Sequence, residues 1–142
     1  MKVFLGGTCN GSAWRRDLIP FLNNAEIDYF NPVVDDWTEE CKAEEIRQRQ
    51  ECDFCLYVIT PSMTGVYSIA EVIDDSNKRP ERTLFWYVSD FFPLVKNFSE
   101  GQRRSLRSVA EMVENNGGKA FSEDDSFSDI VKYLKEQKSE KN

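Results

Sequence analysis

Short runs of consecutive apolar residues alternate along this chain with longer stretches in which apolar positions recur every three or four residues. The runs are "KVFLGG" at 2–7, "IDYF" at 27–30, "FCLYVIT" at 54–60, "RTLFWYV" at 82–88 and "KAF" at 119–121. Each reads as a strand, and an unbroken run such as "FCLYVIT" is expected of one buried on both faces of a parallel sheet. Between the first two, Trp14, Leu18, Phe21, Leu22 and Ala25 fall on one narrow helical face. Ser12 is placed to cap that helix, and Pro20 lies opposite the stripe, where it should kink it.

Asp36, followed three residues later by Glu39, has capping-box-like spacing for a second helix through about Glu51. Only Ala43 and Ile46 give it a sheet-facing stripe, so it should be peripheral. The third helix lies in "TGVYSIAEVIDDS", with Val66, Ile69, Ala70, Val72 and Ile73 as its apolar face. Leu106, Val109, Ala110 and Val113 define a fourth, stopped by "NNGG". Phe127, Ile130, Val131 and Leu134 define the last, with 135–142 expected to fray.

Five strands alternating with five helices predict an α/β fold: a doubly wound (Rossmann/flavodoxin-like) five-stranded parallel sheet with helices on both faces. By analogy with such folds the expected strand order is 2-1-3-4-5. With 142 residues and no linker or repeat, a single domain over 1–142 is expected.

Ligands in such sheets bind at the carboxyl ends of the strands, in the loops that open the helices. That admits Gly6 to Ser12, Asn31 to Trp37, Thr60 through the start of the third helix, and Ser89–Asp90. It excludes Asp53, which begins a strand and is read as structural. "GGTCNGS" could hold phosphate or sugar oxygens on successive backbone N–H groups. It lacks the GK[ST] of a P-loop and the GxGxxG spacing, so a tight structural turn competes with that reading.

Composition narrows the partners. A net charge of −7 and a pI near 4.7 disfavour a general nucleic-acid binder, which needs basic surface against phosphates. No apolar run approaches the roughly 18 residues of a membrane span or resembles a signal peptide, so a cytoplasmic location with no membrane partner is the default expectation. "CDFC" has CxxC spacing, but a helical pattern runs into a strand there, the reverse of the redox arrangement. The chain has no histidine to complete a zinc site. Reduced, structural cysteines are expected, with neither metal nor cofactor.

Glu71 is the residue that asks for an explanation. At about 100° per residue, Tyr67, Ser68, Glu71, Asp74 and Asp75 share the face opposite the apolar stripe. A solvated face is the plain reading. Against it, Glu71 sits near a helix N-terminus, and a large aromatic at i−4 on a wet face suggests that something covers it.

Four stretches, "KVFLGGTCNGSAWR", "DYFNPVVDDW", "EEIRQRQECDFCLYVIT" and "MTGVYSIAEVIDDSNKRP", resemble the nucleoside 2-deoxyribosyltransferase-like family. The resemblance implies cleavage of the N-glycosidic bond of a nucleoside or nucleotide, with Glu71 as nucleophile and the (deoxy)ribosyl group passed to another base. It implies a sugar pocket at Gly6, Gly7 and Asn10, base contacts at Asn31, Asp36 and Trp37, and substrate contacts at Tyr67 and Ser68. Glu45, eight residues before Asp53, matches a family acid but is one methylene longer. The aspartate that the best-studied transferases of the family carry six residues before the catalytic glutamate is Gly65 here, which implies either base recognition from elsewhere, such as Asp35 or Asp36, or a donor other than the usual one. A neighbouring subunit often completes the family's site, so a homo-oligomer is implied.

Other readings remain open at this level. One is a nucleoside 5′-monophosphate hydrolase with "GGTCNGS", Arg15 and Ser68 near the phosphate. A flavin-binding carrier is another, since "TCNGS" faintly echoes a flavodoxin phosphate loop. The third is a non-catalytic module that binds a nucleotide signal.

Overall fold

The apolar runs pair side by side in a sheet of five parallel strands ordered β2-β1-β3-β4-β5, as the alternation predicted. The computed structural model describes residues 1–9, 11–89 and 96–140. Its elements are β1 (Lys2–Gly7), α1 (Trp14–Asn24), β2 (Asp28–Phe30), α2 (Glu39–Glu51), β3 (Phe54–Ile59), α3 (Tyr67–Lys78), β4 (Thr83–Tyr87), α4 (Glu100–Asn115), β5 (Lys119–Phe121) and α5 (Phe127–Glu140). A 3-10 turn at Pro80–Arg82 joins α3 to β4. β1 lies between β2 and β3, with Val3 opposite Tyr29 on one side and Phe54 on the other.

Successive strand residues point to opposite faces, and this divides the core in two. Val3, Leu5, Leu56, Val58 and Trp86 meet Trp14, Leu18 and Leu22 of α1 and Ile130 and Leu134 of α5. Phe4, Cys55, Tyr57, Ile59 and Phe85 meet Val72 of α3 and Leu106 and Val113 of α4. Helices therefore cover both faces, which makes the fold doubly wound. Among the described residues, no helix is long and apolar enough to cross a membrane.

Four local expectations are corrected. Ser12 does not cap α1: Ala13 occupies the N-cap without a side-chain bond, and the Ser12 hydroxyl instead accepts from Thr60 Oγ1 at 3.1 Å. Asp36 does not cap α2, because the extended backbone of Thr38 brings its own hydroxyl to the Cys41 N–H at 3.2 Å. Ala43 and Ile46 are exposed on α2, and its one buried residue is Gln48. Gln48 Nε2 donates to Glu44 at 2.8 Å and its Oε1 accepts from Cys52 Sγ at 3.4 Å, so paired polar groups do the packing. Finally, 135–140 are helical rather than frayed. Lys, Glu and Gln are good helix formers, and Lys138 Nζ reaches the Glu26 carbonyl at 3.3 Å.

Candidate functional site

The carboxyl ends of β1 and β3 form the floor of the site. Gly6 and Gly7 lie opposite Tyr57 and Val58. A Cβ on Gly7, whose φ is +117°, would stand 2.0 Å from the Val58 carbonyl oxygen, and one on Gly6 would stand 2.7 Å from the Tyr57 ring. Gly7 is thus required by the close approach of the strand backbones and Gly6 by the aromatic side chains packed on it.

Beyond them the loop is tied from several directions. Thr8 Oγ1 accepts from the Thr60 N–H at 2.9 Å, and the Thr8 carbonyl accepts from Trp14 Nε1 at 2.8 Å and Arg15 Nη1 at 2.6 Å. Arg15 also donates to the carbonyls of Leu5 and Gly7 at 3.0 and 3.3 Å and stacks over the Trp14 ring. Its guanidinium holds the loop in shape and is spent on backbone oxygens.

α3 forms one wall, and its supposedly wet face is partly buried. Tyr67 is 70 % exposed and Ser68 half-buried, but the Glu71 side chain is only 15 % exposed and Asp75 is fully buried. Arg49, reaching across from α2, makes this burial tenable. Its guanidinium lies 3.0 Å from Asp75, 3.4 Å from Glu71 and 3.5 Å from Asp74, and its Nε donates to the Tyr57 hydroxyl at 3.1 Å. Tyr57 in turn donates to Asp75, and Arg79 pairs with the same carboxylate.

At Glu71 and Asp75 the face opposite the apolar stripe is therefore withdrawn from solvent, while Asp74 stays partly exposed; a second helix supplies the compensating charge. This answers why Glu71 stands where it does. Among the expected stripe residues, Val72 is buried, Ile69 and Ile73 pack against the core, and Val66 and Ala70 are exposed.

Two cavities meet at Glu71 and Tyr67. A smaller one, about 240 Å³, lies between Gly7, Thr8 and Cys9 on one side and Thr64, Ser68 and Glu71 on the other. A larger one, about 400 Å³, is bounded by Trp37, Lys42, Glu45, Ile46 and Arg49 as well as the two shared residues. The first turn of α3 has no side-chain cap, and its Ile69 N–H donates to the Val66 carbonyl at 3.1 Å.

Burial pushes the Glu71 carboxyl up to about 7; Arg49 pulls it down, while Glu45 and Asp75 add to the rise. Burial also raises Glu45, against a hydrogen bond from the Trp37 indole and the charges of Arg15 and Arg49. Arg49 itself is held more firmly protonated than usual: burial opposes its charge, but Tyr57, Asp75 and Glu71 outweigh it. Two carboxyl groups with raised proton affinity thus share one cavity with an aromatic wall.

The expected site residues divide accordingly. Gly7, Tyr67, Ser68 and Glu71 line the smaller cavity, and Trp37 and Glu45 the larger. Gly6 lies behind the site, against Tyr57. The Asn31 side chain closes its own turn by accepting the Val33 N–H at 3.1 Å, and Asp35 and Asp36 are exposed outside both cavities. Ser89 bonds to Asn97 at 3.2 Å; Asn10 and Asp90 lie outside the described residues. Asp53 is structural, its carboxylate accepting the Lys2 N–H at 2.7 Å.

All four cysteines are free. Cys52 and Cys55 are buried, whereas Cys9 is exposed at the rim of the smaller cavity.

Arg49, Lys42, Thr8 and Asp75 were not found from the sequence. One signal was available: Glu45 and Arg49 are four residues apart on α2, as are Glu71 and Asp75 on α3, which puts each pair on one helix face.

A doubly wound sheet with a largely buried carboxylate beside the carboxyl ends of its central strands defines the class as α/β, with its two cavities at the topological switch point between β1 and β3. The model of the nucleoside 2-deoxyribosyltransferase-like family matches residues 1–79, more than half of the chain, and the protein belongs to that family. The matched span contains every residue that lines the two cavities. No curated protein and no solved structure matches the chain.

Proposed function

We propose that the protein cleaves the N-glycosidic bond of a (deoxy)nucleoside, with Glu71 as nucleophile, and passes the sugar to a second base. The observation that carries this reading is the position of Glu71 at the meeting of two cavities, one beside the glycine loop after β1 and one between α2 and α3. The smaller, bordered by Thr8, Thr64 and Ser68 with their hydroxyls, suits a sugar. The larger, walled by Trp37, Tyr67 and Ile46, suits a flat base. The anomeric carbon of a ligand filling both lies over the carboxylate.

As the C1′–N bond breaks, its electron pair goes to the base, which takes a proton from Glu45, whose raised pKa keeps it a competent acid. The positive charge growing on the sugar is stabilised and then captured by the ionised Glu71, forming a C1′–O ester. A second base displaces that ester through its ring nitrogen, giving up its proton to Glu45. Water in the same role gives free sugar. Arg15 is consumed by three carbonyls and a ring, which supports an unphosphorylated sugar over a 5′-monophosphate.

The test is chromatography of reactions with a panel of nucleosides and their 5′-monophosphates, with and without a second base. Base release and base exchange are expected with nucleosides. The rate is expected to climb with pH through about 7, as Glu71 loses its proton. Glu71→Gln is expected to lower the rate on the order of 10⁴-fold, the scale of a lost nucleophile, with an unchanged circular-dichroism spectrum. Wild-type turnover in that variant removes Glu71 from the mechanism. Tight binding with no base released supports a receptor instead.

A further inference from the structure

Buried charge in a small fold is costly unless each member has a partner. On the α3 side of the sheet, Glu71, Asp74 and Asp75 all contact one guanidinium, that of Arg49. A strap between helices would need only one such pair. Arg49 is fixed first by the fully buried Asp75, at 3.0 Å through Nη2 and 3.4 Å through Nε, and by the Tyr57 hydroxyl at 3.1 Å. Asp75 is itself held by Tyr57 and Arg79. That leaves Nη1 for Glu71 Oε2, at 3.4 Å. The arrangement has a direction: core to Asp75, Asp75 to Arg49, Arg49 to the carboxylate at the cavity junction.

We propose that Arg49 is a positioning residue, anchored on Asp75 and Tyr57 so that one of its nitrogens holds Glu71 Oε2 and presents Oε1 for attack. This rests on the reaction proposed above for Glu71, but the contact itself can be read without turnover. When the ester forms on Oε1, Glu71 loses its charge and Arg49 keeps Asp75 as counter-ion, so no lone buried cation is created. When the ester breaks, the electron pair of the C1′–O bond returns to Glu71, and Arg49 receives the restored carboxylate. The guanidinium thus assists the second half of the reaction, in which Glu71 is the leaving group.

The charged and titratable groups facing Glu71 are few. α2 supplies Glu45, Arg49 and Lys42; α3 supplies Tyr67, Asp74 and Asp75; the β1–α1 loop supplies Cys9; Tyr57 stands behind Asp75 on β3. Arg49 is the group among them that contacts both Glu71 and the buried anchor.

Nuclear magnetic resonance of the whole protein tests this. In wild type, the guanidinium nitrogen signals of Arg49 are expected to shift with pH at the same midpoint as the Glu71 side-chain carboxyl carbon. Arg49 signals that do not move through the Glu71 titration overturn the proposal, and that outcome needs no variant to fold. In Arg49→Gln the Glu71 midpoint is expected to rise by about 1 to 3 pH units, as for loss of a cation within 4–6 Å. The rising limb of the rate profile is expected to move with it. Arg49→Lys keeps the charge but cannot fork between Asp75 and Glu71, so a smaller rise and partial recovery of kcat at unchanged KM are expected. A folded Arg49→Gln with an unshifted Glu71 midpoint overturns the proposal. Coupled titration in a protein that releases no base retains the Arg49 contact and rejects the proposed reaction instead.

Discussion

The two faces of the sheet are closed by different chemistry. Toward α1 and α5, Leu18, Leu22, Ile130 and Leu134 pack on Val3, Leu5, Leu56 and Trp86, and the buried Arg15 of α1 is spent on backbone carbonyls at the end of β1. Toward α2, α3 and α4, the hydrophobic cluster gives way at Tyr57 and Cys55 to a lattice of Asp75, Arg49, Arg79 and Glu71. The first face is held by area removed from water, which is tolerant of local detail. The second is held by pairwise compensation, in which every member depends on the others. The candidate site lies at the edge of the second face, where an acid is kept out of water without being left alone.

That contrast is open to attack by substitution. Asp75→Ala leaves two buried guanidinium groups without their shared anion, and a loss of about 3–5 kcal/mol in urea unfolding is expected. A cost below about 1 kcal/mol would mean the charge lattice contributes little. On the other face, Leu18→Ala is expected to cost about 2–5 kcal/mol, with base release per folded molecule unaltered. A changed KM in that variant would blur the division between the faces.

The third effect depends on pH. The Glu71 carboxyl sits near 4.5 in the unfolded chain and is pushed up to about 7 in the folded one. Its contribution to stability is full below pH 4.5, declines as pH rises through about 7, and then stays lost, a difference on the order of 3 kcal/mol. Glu71→Gln is therefore expected to be the more stable protein at pH 8 and to lose that advantage at pH 4. Equal stability of variant and wild type at both pH values would show that burial of this acid costs nothing.

Sequence periodicity was sufficient for the apolar face and poor for the charged one. Strand runs such as "FCLYVIT" and the stripes of α1, α4 and α5, the exposed Phe21 apart, were legible because burial of apolar side chains leaves a repeating mark, whereas the order of the sheet came by analogy with doubly wound folds. Asp53 was legible as structural because the direction of the strand settles which edge it occupies. The inward face of α2 was not, since Gln48 and Arg49 read as solvent-facing until their partners on other elements are known. Asp75 failed for the same reason: what buries it is an arginine 26 residues earlier in the chain. The caps at Ser12 and Asp36 failed at the scale of one or two residues, where competing hydroxyls such as Thr38 decide the outcome.

Gly7 carries a consequence for how this pocket can change. Its α-carbon is pressed so closely on the Val58 backbone that no larger residue fits without parting two central strands. The inner end of the cavity, proposed above to take the sugar, is in effect cast in the same piece as the sheet and has no freedom to adapt. Trp37 and Ile46, half in water on the opposite rim, carry no such restraint. Altered base preference in related or engineered chains is to be sought on that outer rim, with the inner wall left as it is.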